Sequence, residues 1–269
     1  MIAQLTDADE GVRAIAREEL ALAMDDEIAR AFLDIASSDA DEEIRADVIV
    51  GLGPIIDEAG IDYGDGEEFE FEAELGPGIT QETFGTIVRE IRDLYESEAQ
   101  PKLIRRRAME VLVRDPRPWM AAEIRRHFAG DDQQWKMTSV FAMGYLRGFD
   151  DEIAATVSSE RDLLLYEAVR SAGRMQVAAA APRIRELATS NDTESDLRLA
   201  AIEALPSVDP DCRELLETLK HSSDAEVSDS AVAALEELDL FETDDSDDDD
   251  FDDDEDDDDG DGDDEEENG

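Results

Sequence analysis

The chain has 269 residues and carries 75 acidic against 24 basic side chains, a net charge of −51. That balance argues against bare nucleic acid and against anionic membrane surfaces as partners, because both need Lys and Arg to meet phosphates or headgroups. A basic protein is the electrostatically natural partner, and Cys212, the only cysteine, leaves no intrachain disulfide or multi-cysteine metal site.

Met1 to Leu20 alternates charged and apolar residues and lacks the apolar core of a signal peptide. No apolar run approaches the roughly 18 residues of a membrane helix. A cytoplasmic, monomeric protein is the simplest expectation. Downstream, one pattern recurs. An aliphatic or aromatic residue is often followed by Arg or Lys, with further apolar or small residues four, seven and eight positions on. Its copies start at Val12, Ile44, Ile104, Trp135, Leu164, Leu197 and Val227. Successive starts lie about 30 residues apart, a spacing typical of repeat units. The step from Ile44 to Ile104 is the exception, close to twice the others. The spacing within a copy, as in Leu197, Ala201, Ala204 and Leu205, is the one-sided stripe of an amphipathic helix. Three residues before each start stand Asp9, Asp41, Pro101, Asp132, Arg161, Glu194 and Asp224. Five of the seven are carboxylates where a helix N-terminus accepts them.

Partner helices are predicted between the copies, over Asp25–Ile35, Thr80–Tyr95, Pro118–Phe128, Glu152–Ser158, Gln176–Leu187 and Asp211–Leu219. Helix, turn and helix, repeated at that period, predict an all-α solenoid of about seven pairs, each burying its apolar face only by stacking on the next. On these residues, above all Asp41-Glu42-Glu43-Ile44-Arg45, Leu197 to Leu205 and Asp224 to Val227, the chain resembles the HEAT-repeat family, in particular its short, phycobilisome-lyase-like bacterial subtype. The resemblance covers residues 8 to 238 apart from an insertion. It implies a right-handed superhelix with the second helix of each pair lining the concave side. It also implies noncovalent recognition of a protein, since such repeats serve many partners.

The domain reading is a solenoid over residues 1–240, interrupted by an insertion at about 60–78, and a polyacidic tail over 241–269. The insertion holds six Gly or Pro residues around the alternating run Phe69 to Leu75, which fits a short strand or an extended arm. Its two phenylalanines either pack on the solenoid or meet a partner, packing being favoured. In the tail, most positions from Asp244 to Gly269 are Asp or Glu and none is Lys or Arg, so that segment is expected to be disordered. It serves either as an interaction tail or as a solubilising extension. Asp257, Asp259, Asp261 and Gly262 match the start of a calcium loop, but Asn268 stands where a bidentate Glu is needed, so no specific metal site is expected. The remaining −31, on residues 1–243, reflects either function or a salt-adapted or GC-rich genome.

Within this acidic chain lies a basic island, Lys102 to Arg126, on two consecutive helices. Arg105, Arg106, Arg107, Arg125 and Arg126, with Trp119, are the candidate contact surface, because Arg and Trp are enriched at interface hot spots. Three readings stand beside one another: docking of a carboxylate- or phosphate-bearing partner, pairing with acids of neighbouring repeats, or docking of the chain's own tail. Trp135, at the first apolar position of its repeat, is expected in the core.

Catalysis finds little support. HEAT-like deoxyhypusine hydroxylases bind iron through His-Glu pairs, whereas here His127 precedes Phe128 and His221 precedes Ser222. No His-Glu-x-x-His or phosphate-loop motif occurs, and both histidines are expected at the surface or an edge. The reading is therefore a non-catalytic protein-binding scaffold without cofactor or metal. The alternatives are a polyacidic binder or chaperone of a basic protein and, behind it, a lyase- or hydroxylase-like enzyme or enzyme subunit.

Overall fold

The computed structural model describes residues 1–23, 25–61, 78–159 and 163–247. Among them are fourteen α-helices and two 3-10 turns, and no sheet. A 3-10 turn, Ile2–Thr6, precedes α1 (Glu10–Leu22). Then come α2 (Asp26–Ala36) with α3 (Glu42–Gly51), α4 (Gly53–Ile61), α5 (Gln81–Glu96) with α6 (Lys102–Leu112), and α7 (Met120–Ala129) with α8 (Gln133–Met143). The chain continues through α9 (Asp150–Ser158) with α10 (Leu165–Arg174), α11 (Ala181–Thr189) with α12 (Ser195–Val208), and α13 (Arg213–Leu219) with α14 (Ala225–Asp247).

Each named pair packs together, and the second helices form one continuous row in which α1, α3, α6, α8, α10, α12 and α14 each lie against the next. All seven recurrences of the sequence pattern fall on this row. All six predicted partner helices fall on the other helix of a pair. The architecture is a HEAT-like α-solenoid. In the first unit the 3-10 turn stands in for the missing partner helix, plugging α1 with the buried Leu5.

The carboxylates in register with the stripe are helix caps. Asp9 accepts from the N–H groups of Gly11 and Val12, Asp41 from Glu43, Asp132 from Gln134 and Trp135, Glu194 from Leu197, and Asp224 from Glu226. Each satisfies a donor that the first helical turn otherwise leaves open. Arg161 lies outside the described residues, and Pro101 caps α6 through its position alone. The stripe itself is the core: Ile104, Ala108, Val111 and Leu112 of α6 are all buried in a single cluster that runs the length of the solenoid. Full burial of an Ile, Val or Leu side chain contributes about 1.5–3 kcal/mol. Close packing also explains Gly51, where an added Cβ would sit 2.5 Å from the Phe32 ring.

Before the insertion, α4 packs on α6 and runs into its first two residues. Residues 62–77, with Phe69 and Phe71, lie outside the described residues, as do residues 248–269 of the tail with its calcium-loop-like run. The chain re-enters at Gly78, whose φ of 101° is a left-handed conformation suited to glycine. There the Gly78 carbonyl accepts from Asp26 N–H at 3.1 Å, and Thr80 N–H donates to the Asp26 carboxylate at 2.9 Å. That backbone donor is the first cause of a lowered Asp26 pKa. The return point is thereby fastened to the start of α2, which aligns α5 beside it.

Candidate functional site

The arginine that follows the first apolar residue of a repeat has a common structural task. Arg45 Nε donates to the Ala36 carbonyl at 2.8 Å, Arg105 Nε to Tyr95 at 2.9 Å and Arg198 Nε to Ala188 at 3.0 Å. In the last repeat the Ser228 hydroxyl takes that position and donates to the Lys220 carbonyl at 2.7 Å. In each case a second helix closes the open C-terminal carbonyls of its own partner helix, where a cation also complements the helix dipole. Arg105 is therefore a stitch within its pair before it is a contact residue.

The basic island does not share one surface. Arg106 is 8% exposed and donates to Thr138 at 2.9 Å, with Glu110 beside it, so it lies at the floor of a groove on the row of second helices. Arg107 pairs with Glu110 on the outer side of α6. Arg125 lies over the Phe149 ring at 4.4 Å and bridges to Glu152 and the Gly148 carbonyl, tying α7 to α9. Arg126 pairs with Glu123 on its own helix. Arg106 and Arg107 thus pair with Glu110 of their own helix, and of these three only Arg125 reaches an acid of a neighbouring repeat.

Around Arg105 lies an aromatic knot drawn from α5, α8 and α7 with its N-cap residue. Trp119 stacks on Tyr95 with centroids 5.6 Å apart, and His127 stacks on Trp135 at 3.8 Å and 9°. Arg92 lies 5.2 Å over Trp119. Trp135 is in the core as expected, whereas Trp119 is half-buried and shares with Arg105 a shallow cleft of about 500 Å³, lined also by Arg92, Glu96 and Glu123. His127 departs from expectation, being 9% exposed. Its Nε2 accepts from the Arg126 guanidinium at 3.1 Å. Burial, with Arg126 next to it, pushes its pKa down to about 4, so the ring is neutral at pH 7. The Tyr95 hydroxyl donates to Glu123 at 2.7 Å. Burial followed by that bond raises the Tyr95 pKa. The titratable groups Tyr95, Glu123, Arg126 and His127 are engaged with one another, which suits a rigid joint between α5, α7 and α8.

The surface of the second-helix row differs. Between α3, α6, α8 and α10 lies a groove of about 270 Å³ lined by Val50, Arg107, Arg114, Met137, Phe141 and Glu167. Val50, Met137 and Tyr166 are among the exposed large apolar side chains, and Val232 continues the series on α14. Arg114 pairs with Asp57 and lies 5.3 Å from the Tyr145 ring, which Arg174 covers at 4.2 Å. Arg170 stands 5.9 Å from the Tyr166 ring. Glu167 is half-buried, and that burial raises its carboxyl pKa. The residues that sequence reasoning missed here are Tyr145, Tyr166, Arg170 and Arg174. A signal was available: Tyr166, Arg170 and Arg174 recur at every fourth position on the side of α10 away from its apolar stripe.

Among the described residues no three or more His, Cys, Asp or Glu side chains are grouped to hold a metal ion, and no helix is long and apolar enough to cross a membrane. Fold and surface together define an all-α repeat solenoid of the HEAT/armadillo-like kind. No protein-family profile and no curated protein matches the chain. Solved structures are similar to it. One is human deoxyhypusine hydroxylase in complex with glycerol, 13% identical over 89% of this chain and 94% of that one, with a TM-score of 0.36. Another is the complex of CpcE and CpcF of phycocyanin lyase from Nostoc sp. PCC7120, 13% identical over 88% and 92%, TM-score 0.42. A third is an engineered protein, 17% identical over 89% and 95%, TM-score 0.36. Likenesses at this level assign neither activity nor partner.

Proposed function

We propose that the chain is a non-catalytic, cytoplasmic scaffold that binds a protein partner along its row of second helices. The observation that carries this reading is the set of exposed apolar side chains on four of the seven second helices, Val50 on α3, Met137 on α8, Tyr166 on α10 and Val232 on α14, with arginines between them. Apolar anchors flanked by arginine are the composition of interface hot spots. The aromatic knot around Tyr95 supports the same reading from the other side, since its titratable groups are engaged with one another. The short period of the repeat agrees with the phycobilisome-lyase-like bacterial subtype of HEAT repeats.

The test compares full-length chain with Tyr166→Ala and Met137→Ala variants in affinity capture at low and high salt. The reading requires a partner that persists at high salt and is lost, by about tenfold or more, in the variants. A partner that ignores both substitutions sinks it. The polyacidic segment favours a second reading, a binder of a basic protein. In that case capture collapses with ionic strength whatever stands at 137 and 166.

A further inference from the structure

The chain holds about three acidic residues for each basic one, and most of its cations are taken. Arg147, Arg170 and Arg174 are exceptions, exposed and with neither a hydrogen bond nor an ion pair among the described residues. Two of them stand one helical turn apart on one face of α10, beside Tyr145 and Tyr166. The half-buried Glu167 carboxylate lies within electrostatic reach of both, and in a chain with a threefold excess of carboxylates these two adjacent arginines, neither of them in an ion pair, retain capacity for further anions. Guanidinium groups held over aromatic rings are presented flat and receive carboxylates bidentately.

We propose that the α10 arginine face, Arg170 and Arg174 with Tyr145, is the docking surface for the chain's own polyacidic segment, residues 248–269. Docked there, the segment covers part of the second-helix surface until a partner displaces it, a consequence that rests on the scaffold reading above. Charge complementarity selects this occupant. Most of the segment is Asp or Glu and none of it is basic, so many registers along it match a pair of guanidinium groups. Reach allows it. The chain leaves α14 at Asp247, and α14 packs on α12, which packs on α10. Two helix spacings of about 8–10 Å each separate α14 from α10. Fully extended, the segment spans roughly 70 Å. Tethering makes the encounter intramolecular, with an effective concentration in about the millimolar range.

Zero-length carbodiimide cross-linking of the full-length chain carrying Arg170→Lys and Arg174→Lys tests this, with peptides read by mass spectrometry. Lys102 with Asp132 and Lys220 with Glu217, each 2.9 Å apart, are built-in controls that the fold and the chemistry are intact. Mixing isotope-labelled with unlabelled chains separates links within one chain from links between copies. The expected result is links from positions 170 and 174 to residues 248–269 within one chain, reduced at least about fivefold by about 1 M salt. Control links accompanied only by links from 170 and 174 to Glu167 or other carboxylates of the solenoid overturn the proposal. Mixed-isotope links overturn it as well, assigning the segment to a second copy. If the tail links are absent while Tyr166→Ala still weakens the partner, the docking falls and the scaffold stands. If the links form and Tyr166→Ala leaves the partner unchanged, the scaffold reading falls instead.

Discussion

Arg45 is 9% exposed, and its guanidinium serves two acceptors, the Ala36 carbonyl at the end of α2 and the Gln100 side chain before α6. One residue therefore closes its own pair and ties it to the next. Arg45→Ala leaves a carbonyl and an amide oxygen without a donor, at a cost of about 2–3 kcal/mol by the usual worth of charged hydrogen bonds. Arg45→Lys recovers less than half, because a single ammonium cannot hold the fork geometry. Urea unfolding of the two variants checks this, and equal stability of Arg45→Lys and wild type would refute the fork. His127 gives a second prediction, on pH. Its folded pKa of about 4 lies below the ordinary 6.5, so between those values the unfolded chain binds the proton and the fold does not. Its contribution is complete above 6.5 and declines as pH falls towards 4. His127→Phe keeps the stack on Trp135 and abolishes this slope. The measurement is the difference between wild type and variant in urea midpoint from pH 7 to pH 4.5, in which carboxylate titrations common to both cancel. Parallel curves would mean that the imidazole is solvated in the fold.

At the scale of the element, the caps and the stripe were legible because both are local: a carboxylate three residues before the first apolar position needs only its own helix. Asp132→Ala accordingly destabilises α8 by about 1–2 kcal/mol, while Asp132→Asn, still able to accept from Gln134 and Trp135, costs less than half of that. The Asp132 carboxylate also accepts from Lys102 Nζ at 2.9 Å across the repeat boundary. That pair is exposed and contributes little. Thermal unfolding of the two variants separates cap from ion pair, and equal losses would assign the effect to charge. That the island divides between faces has an equally physical reason. Consecutive helical residues are turned by about 100°, so Arg105, Arg106 and Arg107 point in three directions, towards the partner helix, into the row and out of it. The stitch arginines recurred visibly, yet their acceptors lie 9 or 10 residues back on another helix. Only the packed pair reveals them. The arginine face of α10 is less legible because its residues are spaced at i, i+4 and are not contiguous in the chain.

For the whole molecule, the decisive fact is that charge and fold oppose one another. The net −31 on residues 1–243 repels itself more in a compact solenoid than in an expanded chain, and most of the 24 cations already sit in ion pairs or capping bonds, so further neutralisation must come from solution. Screening changes two terms. It weakens the exposed ion pairs, each worth about 0–1 kcal/mol. It also removes the summed repulsion of the unpaired carboxylates as the Debye length falls from about 30 Å at 0.01 M to about 3 Å at 1 M. With acids in threefold excess the second term wins, so stability rises with salt. A gain of about 2–3 kcal/mol corresponds to a Tm increase of roughly 5–10 °C for a chain of this size. Replacing the carboxylates of 248–269 by their amides should reduce that increase without abolishing it, because −31 resides on residues 1–243. Calorimetry from about 10 mM to about 1 M sodium chloride on both chains decides the matter. A flat or falling Tm would mean that the ion pairs between repeats outweigh the repulsion, and that the acidic surface is already neutralised within the fold.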